Sequence, residues 1–171
     1  MTALIGASLS ASIIAAKEAD MATGDTYSNN GAKLLVAVGR PATENQTGYG
    51  ALTWVQVDGI VTIPEMGDEA EDISESTLAD GRNTHQYGVK DGGAYSLNIK
   101  HIDGDAGRVL LEAQSLNNAT VSFQRVYNSG KALFSFGLVG AAKQREASGS
   151  NFEGVSVAIV VNSGTFVGTE E

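Results

Sequence analysis

The densest run of chemistry-bearing side chains in the sequence is acidic. Glu65, Asp68, Glu69, Glu71, Asp72, Glu75 and Asp80 fall between positions 65 and 80, with no Lys or Arg among them. Carboxylates at this density can bind Ca2+ through oxygen or supply an acid/base pair. More often such a run is a solvated surface, and a third use lies between, as charge presented to another protein. A second acidic motif, Asp103-Gly104-Asp105-Ala106-Gly107, superficially resembles part of a calcium loop. It lacks the Asp/Asn ladder and closing Glu of an EF-hand, so an N-cap on a helix accounts for it better. His85 and His101 are the two histidines, and neither has metal-ligand spacing to carboxylates or to the other. With no cysteine there is no thiolate metal site and no Cys nucleophile. A nucleophile elbow and a P-loop are also missing, and the glycines of 78–93 lack the strand-to-helix setting of a dinucleotide site. The expectation is therefore no catalytic residue, no metal and no cofactor, with enzyme the weakest function class.

The elements that carry these residues are mostly strands. At 171 residues the chain is sized for one domain with a real core. Glycine is frequent and proline rare, and Val, Ile, Thr and Ser fill the intervals, which favours short strands between Gly turns. The formal net charge is −9, from 11 basic and 20 acidic residues. Tight nucleic-acid binding is disfavoured by that balance, since it needs a basic stripe, but a surface that DNA passes without sticking is compatible with it. The apolar N-terminal stretch has no Lys or Arg before position 17, so it lacks the positive n-region of a secretory signal, and no apolar run is long enough to span a membrane.

Positions 1–32 read as an arm, either frayed or docked on a neighbouring subunit. A strand over 33–38 follows, then a Gly39-Arg40-Pro41 break and a polar loop to Ala51. Residues 54–63 alternate as one strand, with Val55, Val57, Val61 and Ile63 on one side and Trp54, Gln56, Asp58 and Thr62 on the other. Gly59 on its apolar side predicts a bulge or a close approach. Residues 65–92 form a long acidic loop with little to bury, expected to be mobile before assembly. The strand at 93–102 puts Tyr95, Leu97 and Ile99 on one face and Ser96, Asn98 and Lys100 on the other. Asp103 or Asp105 caps a helix striped by Val109, Leu110, Ala113 and Leu116. Strands over 120–127 and 132–139 form a hairpin through Ser129-Gly130, a polar loop leads to a strand at 154–161, and 165–167 adds a short edge strand. The fold class is mainly β (α+β): a β-sandwich or barrel-like domain over 33–171 with one flanking helix.

One pattern goes further. W-V-x-V-x-G-I-V-x-I-P-E-x-G, then acidic residues, then S-x-S-T-L-A-D and Y-G-V-K-D-G-G, resembles the major tail tube proteins of long-tailed, siphovirus-like bacteriophages. The matching residues are Trp54, Val57, Gly59, Ile63, Pro64, Gly67, Glu69, Ile73, Thr77, Leu78, Asp80, Gly88 and Asp91. A looser match covers roughly positions 33 to 161. The resemblance implies hexameric rings stacked into a tube, one sheet of each subunit joining a ring-shaped β-barrel around a lumen, and a long loop reaching the next ring. It implies tape measure, tail terminator and tip proteins as partners, DNA passing through the lumen without specific binding, a place in the virion tail, and assembly in the host bacterial cytoplasm. The sequence stops soon after 161, so no Ig-like C-terminal extension of the kind some relatives carry is expected.

Residue chemistry agrees with that picture. Strands with one hydrophilic face suit a water-filled channel, and joining strand edges around a ring removes exposed edges. An acidic wall would keep DNA mobile by repulsion. The loop carboxylates Glu65, Asp68, Glu69, Glu71, Asp72, Glu75 and Asp80, with Thr77, are the expected inter-ring contacts, and Lys131, Lys143 and Arg145 the candidate basic surface on the neighbour. Gln56, Asp58, Ser96, Asn98 and Lys100 are the expected lumen-facing set. The alternatives are the inner tube of a contractile injection or type VI secretion system, and, from another class, a secreted carbohydrate-binding β-sandwich module.

Overall fold

The computed structural model describes residues 28–76, 81–146 and 148–170. Among these residues ten strands and two helices follow one another as β1 (Lys33–Val38), α1 (Gln46–Gly50), β2 (Val55–Gln56), β3 (Ile60–Thr62), β4 (Glu69–Glu75), β5 (Thr84–Asp91), β6 (Ala94–Lys100), α2 (Ala106–Ser115), β7 (Thr120–Val126), β8 (Lys131–Gln144), β9 (Gly154–Val161) and β10 (Phe166–Thr169). Eight strands make one sheet in the order β2-β1-β7-β8-β9-β6-β3, with β10 also on β8, and every pairing given for it is antiparallel. The sheet curls into a half-barrel, so the barrel-like form of the expected fold is the one adopted.

Register shows why the sheet curls. Cross-strand partners share a face, so Leu34 and Val36, Val121 and Phe123, Val155, Val157 and Ile159, and Leu97 and Ile99 all point inward from successive strands. They form the main core with Leu111 of α2. A single sheet can bury one continuous apolar face only by wrapping it around that core or by acquiring a covering layer, and here both occur.

The expected single strand over 54–63 is in fact two short ones, and the break closes the curl. β2 pairs with β1 at one edge of the sheet, while β3 pairs with β6 at the other. Val57 N–H still donates to Leu34 O at 2.9 Å, yet Gly59 O already accepts from Lys100 N at 2.6 Å. Asp58 alone lies between these two bonds, so the chain sews the sheet's edges together there. Gly59 makes the close approach expected of it: a Cβ would sit 2.2 Å from Lys100 O.

Helix α2 locks this seam. Asp105, not Asp103, is the N-cap; its carboxylate accepts from Arg108 N at 3.0 Å and from Gly59 N at 3.2 Å. Gly107 lets the helix lie against the seam, since a Cβ there would meet Gln56 O at 2.4 Å. Of the expected stripe only Leu110 packs against the core. Gly107, Leu111 and Ser115 are buried, whereas Val109 and Leu116 are exposed. The i, i+4 face that follows from docking at Gly107 wins over the face with the larger side chains.

Three further differences concern the segments between strands. The polar stretch after β1 contains α1, capped by Asn45, whose Oδ1 accepts from Gly48 N at 2.9 Å. Tyr49 of α1 stacks on Phe134 at 5.0 Å, and Trp54 and Phe166 complete a second, smaller cluster on the outer face of the sheet. β8 runs on to Gln144, past the expected end at Val139, with a shift in register between Val139 and Ala142 where it passes along β9. The described residues of 65–92, a stretch expected as a loop, fold mainly as the paired strands β4 and β5. Of the expected arm, residues 1–27 lie outside the described residues; Asn128 at the β7–β8 turn binds its end by donating to Ser28 O at 2.9 Å and to Asn30 O.

Candidate assembly surfaces

The β4–β5 hairpin is a separate two-stranded sheet. Glu69 pairs with Asp91, Ala70 with Lys90, Asp72 with Tyr87, Ser74 with His85 and Glu75 with Thr84, across an irregularity between Ala70 and Asp72. Nearly every residue of it is exposed, including Ile73 at 56%, Tyr87 at 83% and Val89 at 90%. An isolated two-stranded ribbon is marginally stable in water, and three large apolar side chains left open on one ribbon give a partner something to bury.

The carboxylates on it do not gather into a catalytic or metal-binding arrangement. Among the described residues, no group of three His, Cys, Asp or Glu side chains is placed to hold a metal. His85 Nδ1 lies 2.9 Å from Asp72 Oδ2, and His101 Nε2 lies 3.2 Å from Asp103. Both pairs are open to water, where such contacts contribute little. Ser74 stands opposite His85 in the register, but both side chains are exposed, so water reaches that group.

Of the expected contact residues, Glu69, Glu71, Asp72 and Glu75 lie on β4, and Glu65 and Asp68 on the exposed run leading into it. Thr77 and Asp80 fall outside the described residues. The expected basic set is divided. Lys143 and Arg145 sit at the end of β8, beside Ser156 and Gly154 of β9, with Arg145 N–H donating to Gly154 O at 2.9 Å. Lys131 opens the same strand at its other end, opposite Thr169. Lys100 is the residue the sequence reading did not group with them: it pairs with Gly154, and its ammonium lies 4.3 Å above the Phe152 ring. No spacing rule could have joined Lys100 to Lys143, because only the β6–β9–β8 order puts them in adjacent rows on one face.

The expected lumen-facing set is also divided. Ser96, Asn98 and Lys100 share the outer face of β6, opposite Ala158, Ser156 and Gly154. Gln56 lies on the same outer side, opposite Leu35, but on β2 at the far edge, and its amide donates to the exposed Asp58 at the seam. The small aromatic cluster under α1 covers the outer face around β1, β7, β10 and the start of β8. The outer face of β3, β6, β9 and the end of β8 has no such cover: Leu138, Val160, Ala158, Ala94, Ser96 and Thr62 are all exposed. This half carries two surfaces that single-subunit packing leaves open, a sheet face and, where β3 and β6 lead into it, the hairpin.

The sequence matches no family model, and no curated protein matches it. Solved structures do. The SPP1 tail tube, determined by solid-state NMR and cryo-electron microscopy, superposes with a TM-score of 0.61 at 15% identity, covering 85% of this chain and 80% of that one. The tail of an empty GTA particle, refined with C6 helical symmetry, gives 0.53 at 11% identity over 81% of this chain and 96% of that one. The six-fold symmetrised baseplate of the anti-feeding prophage gives 0.55 at 10% identity over 87% and 98%. At these identities the likeness is one of fold, and the fold of this chain is that of the phage tail tube proteins.

Proposed function

We propose that the protein is a structural subunit of a phage tail tube, self-assembling into stacked hexameric rings that leave a channel for DNA. The observation that carries this reading is the β4–β5 hairpin: within a fold shared with tube proteins, it presents Ile73, Tyr87 and Val89 to solvent amid carboxylates and packs on little of its own chain. In a stacked ring it would bury those side chains on the adjacent ring, and Glu69, Glu71 and Asp72 would face donors there. Ser96, Asn98 and Lys100 then belong to the channel wall, in a role without catalysis. Tape measure, terminator and tip proteins would meet the tube at its bore and ends, in a virion tail assembled in the host cytoplasm. No helix among the described residues is long and apolar enough to cross a membrane.

A second reading, the inner tube of a contractile injection system, draws on the likeness to the anti-feeding prophage baseplate. Both readings predict rings. Sedimentation of the purified protein beside a Glu69→Lys, Glu71→Lys, Asp72→Lys variant tests the shared claim. Large, concentration-dependent species from the parent that are reduced in the variant support it; assembly by the variant indistinguishable from the parent would sink the hairpin's role.

A further inference from the structure

The chain's negative charge is not spread over the face that the proposed function assigns to the channel. β3, β6, β8 and β9 contain no Asp or Glu at all, although the whole chain carries 20 acidic residues. Their outer face is ordered in rows by the register. Leu138, Val160 and Ala94 make an apolar row at the hairpin end. Ala158 and Ser96 form a small, neutral row beyond it. Lys143, Ser156, Asn98 and Thr62 come next, and Lys100 beside Gly154 ends the face. The Lys100 ammonium lies 4.3 Å above the ring of exposed Phe152, a cation–π contact. The acidic residues nearest this end lie off the four strands: Asp58 at the seam, one residue from the Gly59 carbonyl that accepts from Lys100 N, and Asp103, Glu146 and Glu153 in the connections.

We infer that this face is a neutral slip surface closed at one end by a basic girdle of Lys100 and Lys143, and that the girdle makes weak, salt-sensitive contacts with nucleic-acid phosphates. The inference rests on the proposed tube function and reverses the expectation of an acidic, repelling wall. The carboxylates sit instead on the hairpin and on connections, and repulsion from them is screened beyond roughly 8 Å at physiological salt. On the four strands themselves every charged side chain is a lysine. Two lysines per subunit, repeated around a ring, give a shallow attraction at one level of each ring while the small neutral rows between rings offer nothing to hold.

The chain has no native thiol, so a Lys143→Cys variant carries a single reactive group. Assembled tubes of this variant are treated with a small maleimide and with a maleimide on a dextran too large for the bore. Retention of a short single-stranded oligonucleotide by parent and by Lys100→Gln, Lys143→Gln tubes is measured across a salt series. The expected result is labelling by the small reagent alone in tubes, by both reagents after dissociation, and a salt slope that falls by about 1 per lysine removed. Tubes labelled equally by the dextran, or oligonucleotide retention that is absent or unchanged in the Gln variant, would overturn the girdle and leave the tube function standing. Failure of the parent chain to form tubes would overturn both.

Discussion

At the residue scale, Asp105 does two jobs that sequence spacing could show only in part. A capping Asp before the helix was legible; the choice of Asp105 over Asp103 was not, because it depends on Gly59 N–H arriving from a distant segment. Asp105→Ala removes a cap, worth about 1 kcal/mol, and strands the buried Gly59 N–H at a further cost of roughly 1–3 kcal/mol. Chemical denaturation should therefore show a loss of about 2–4 kcal/mol, with Asp105→Asn much milder. Gly107→Ala reads as a stabilising helix substitution by propensity, by about 1 kcal/mol. Its Cβ would collide with Gln56 O, and overpacking of that kind costs roughly 1–3 kcal/mol, so the net effect should be destabilising. Burial pushes the phenol of Tyr95 well above its ordinary value of 10.0; Tyr49 is raised too, by burial first and by the charge of Glu44 second. A raised pKa in the folded state means the folded chain keeps a proton that the unfolded chain gives up. The stability from these phenols is complete below pH 10 and falls as pH rises above it, by at most about 1.4 kcal/mol per pH unit for each. Alkaline unfolding of Tyr95→Phe should lack one such slope.

At the element scale, the strands with clean alternation were legible and the hairpin was not. Tyr95, Leu97 and Ile99 alternate with polar residues and land on the inner face as expected, because one face of β6 is buried. β4, by contrast, is exposed along nearly its whole length, so its sequence carries no apolar period to reveal a strand. The seam at Asp58 was hidden for the opposite reason: residues 54–63 do alternate, but alternation is local and says nothing of a change of partner strand. The hairpin's exposure yields a sharp prediction. Ile73→Ser with Tyr87→Ser should leave subunit stability within about 0.5 kcal/mol, as exposed substitutions usually do. The same pair should strongly reduce sedimentation of large species. Loss of subunit stability without loss of assembly would mean that the ribbon serves its own subunit and not a neighbour.

At the scale of the whole molecule, a half-barrel whose edges meet at Asp58 and are braced by α2 encloses its apolar core, and two of its surfaces remain open: a strand face and a ribbon. Such a body has its stability inside and its unfinished contacts outside, which is the condition for head-to-tail assembly through unlike surfaces. Composition pointed to many short strands but carried no information on where charge sits, since a net −9 conceals four strands with no carboxylate. Electron microscopy of the purified chain at rising concentration tests the central claim most directly. Six-fold rings that stack into hollow tubes, with β4–β5 bridging one ring to the next, are the predicted result. Dispersed single subunits at every concentration, with the hairpin still exposed, would contradict it.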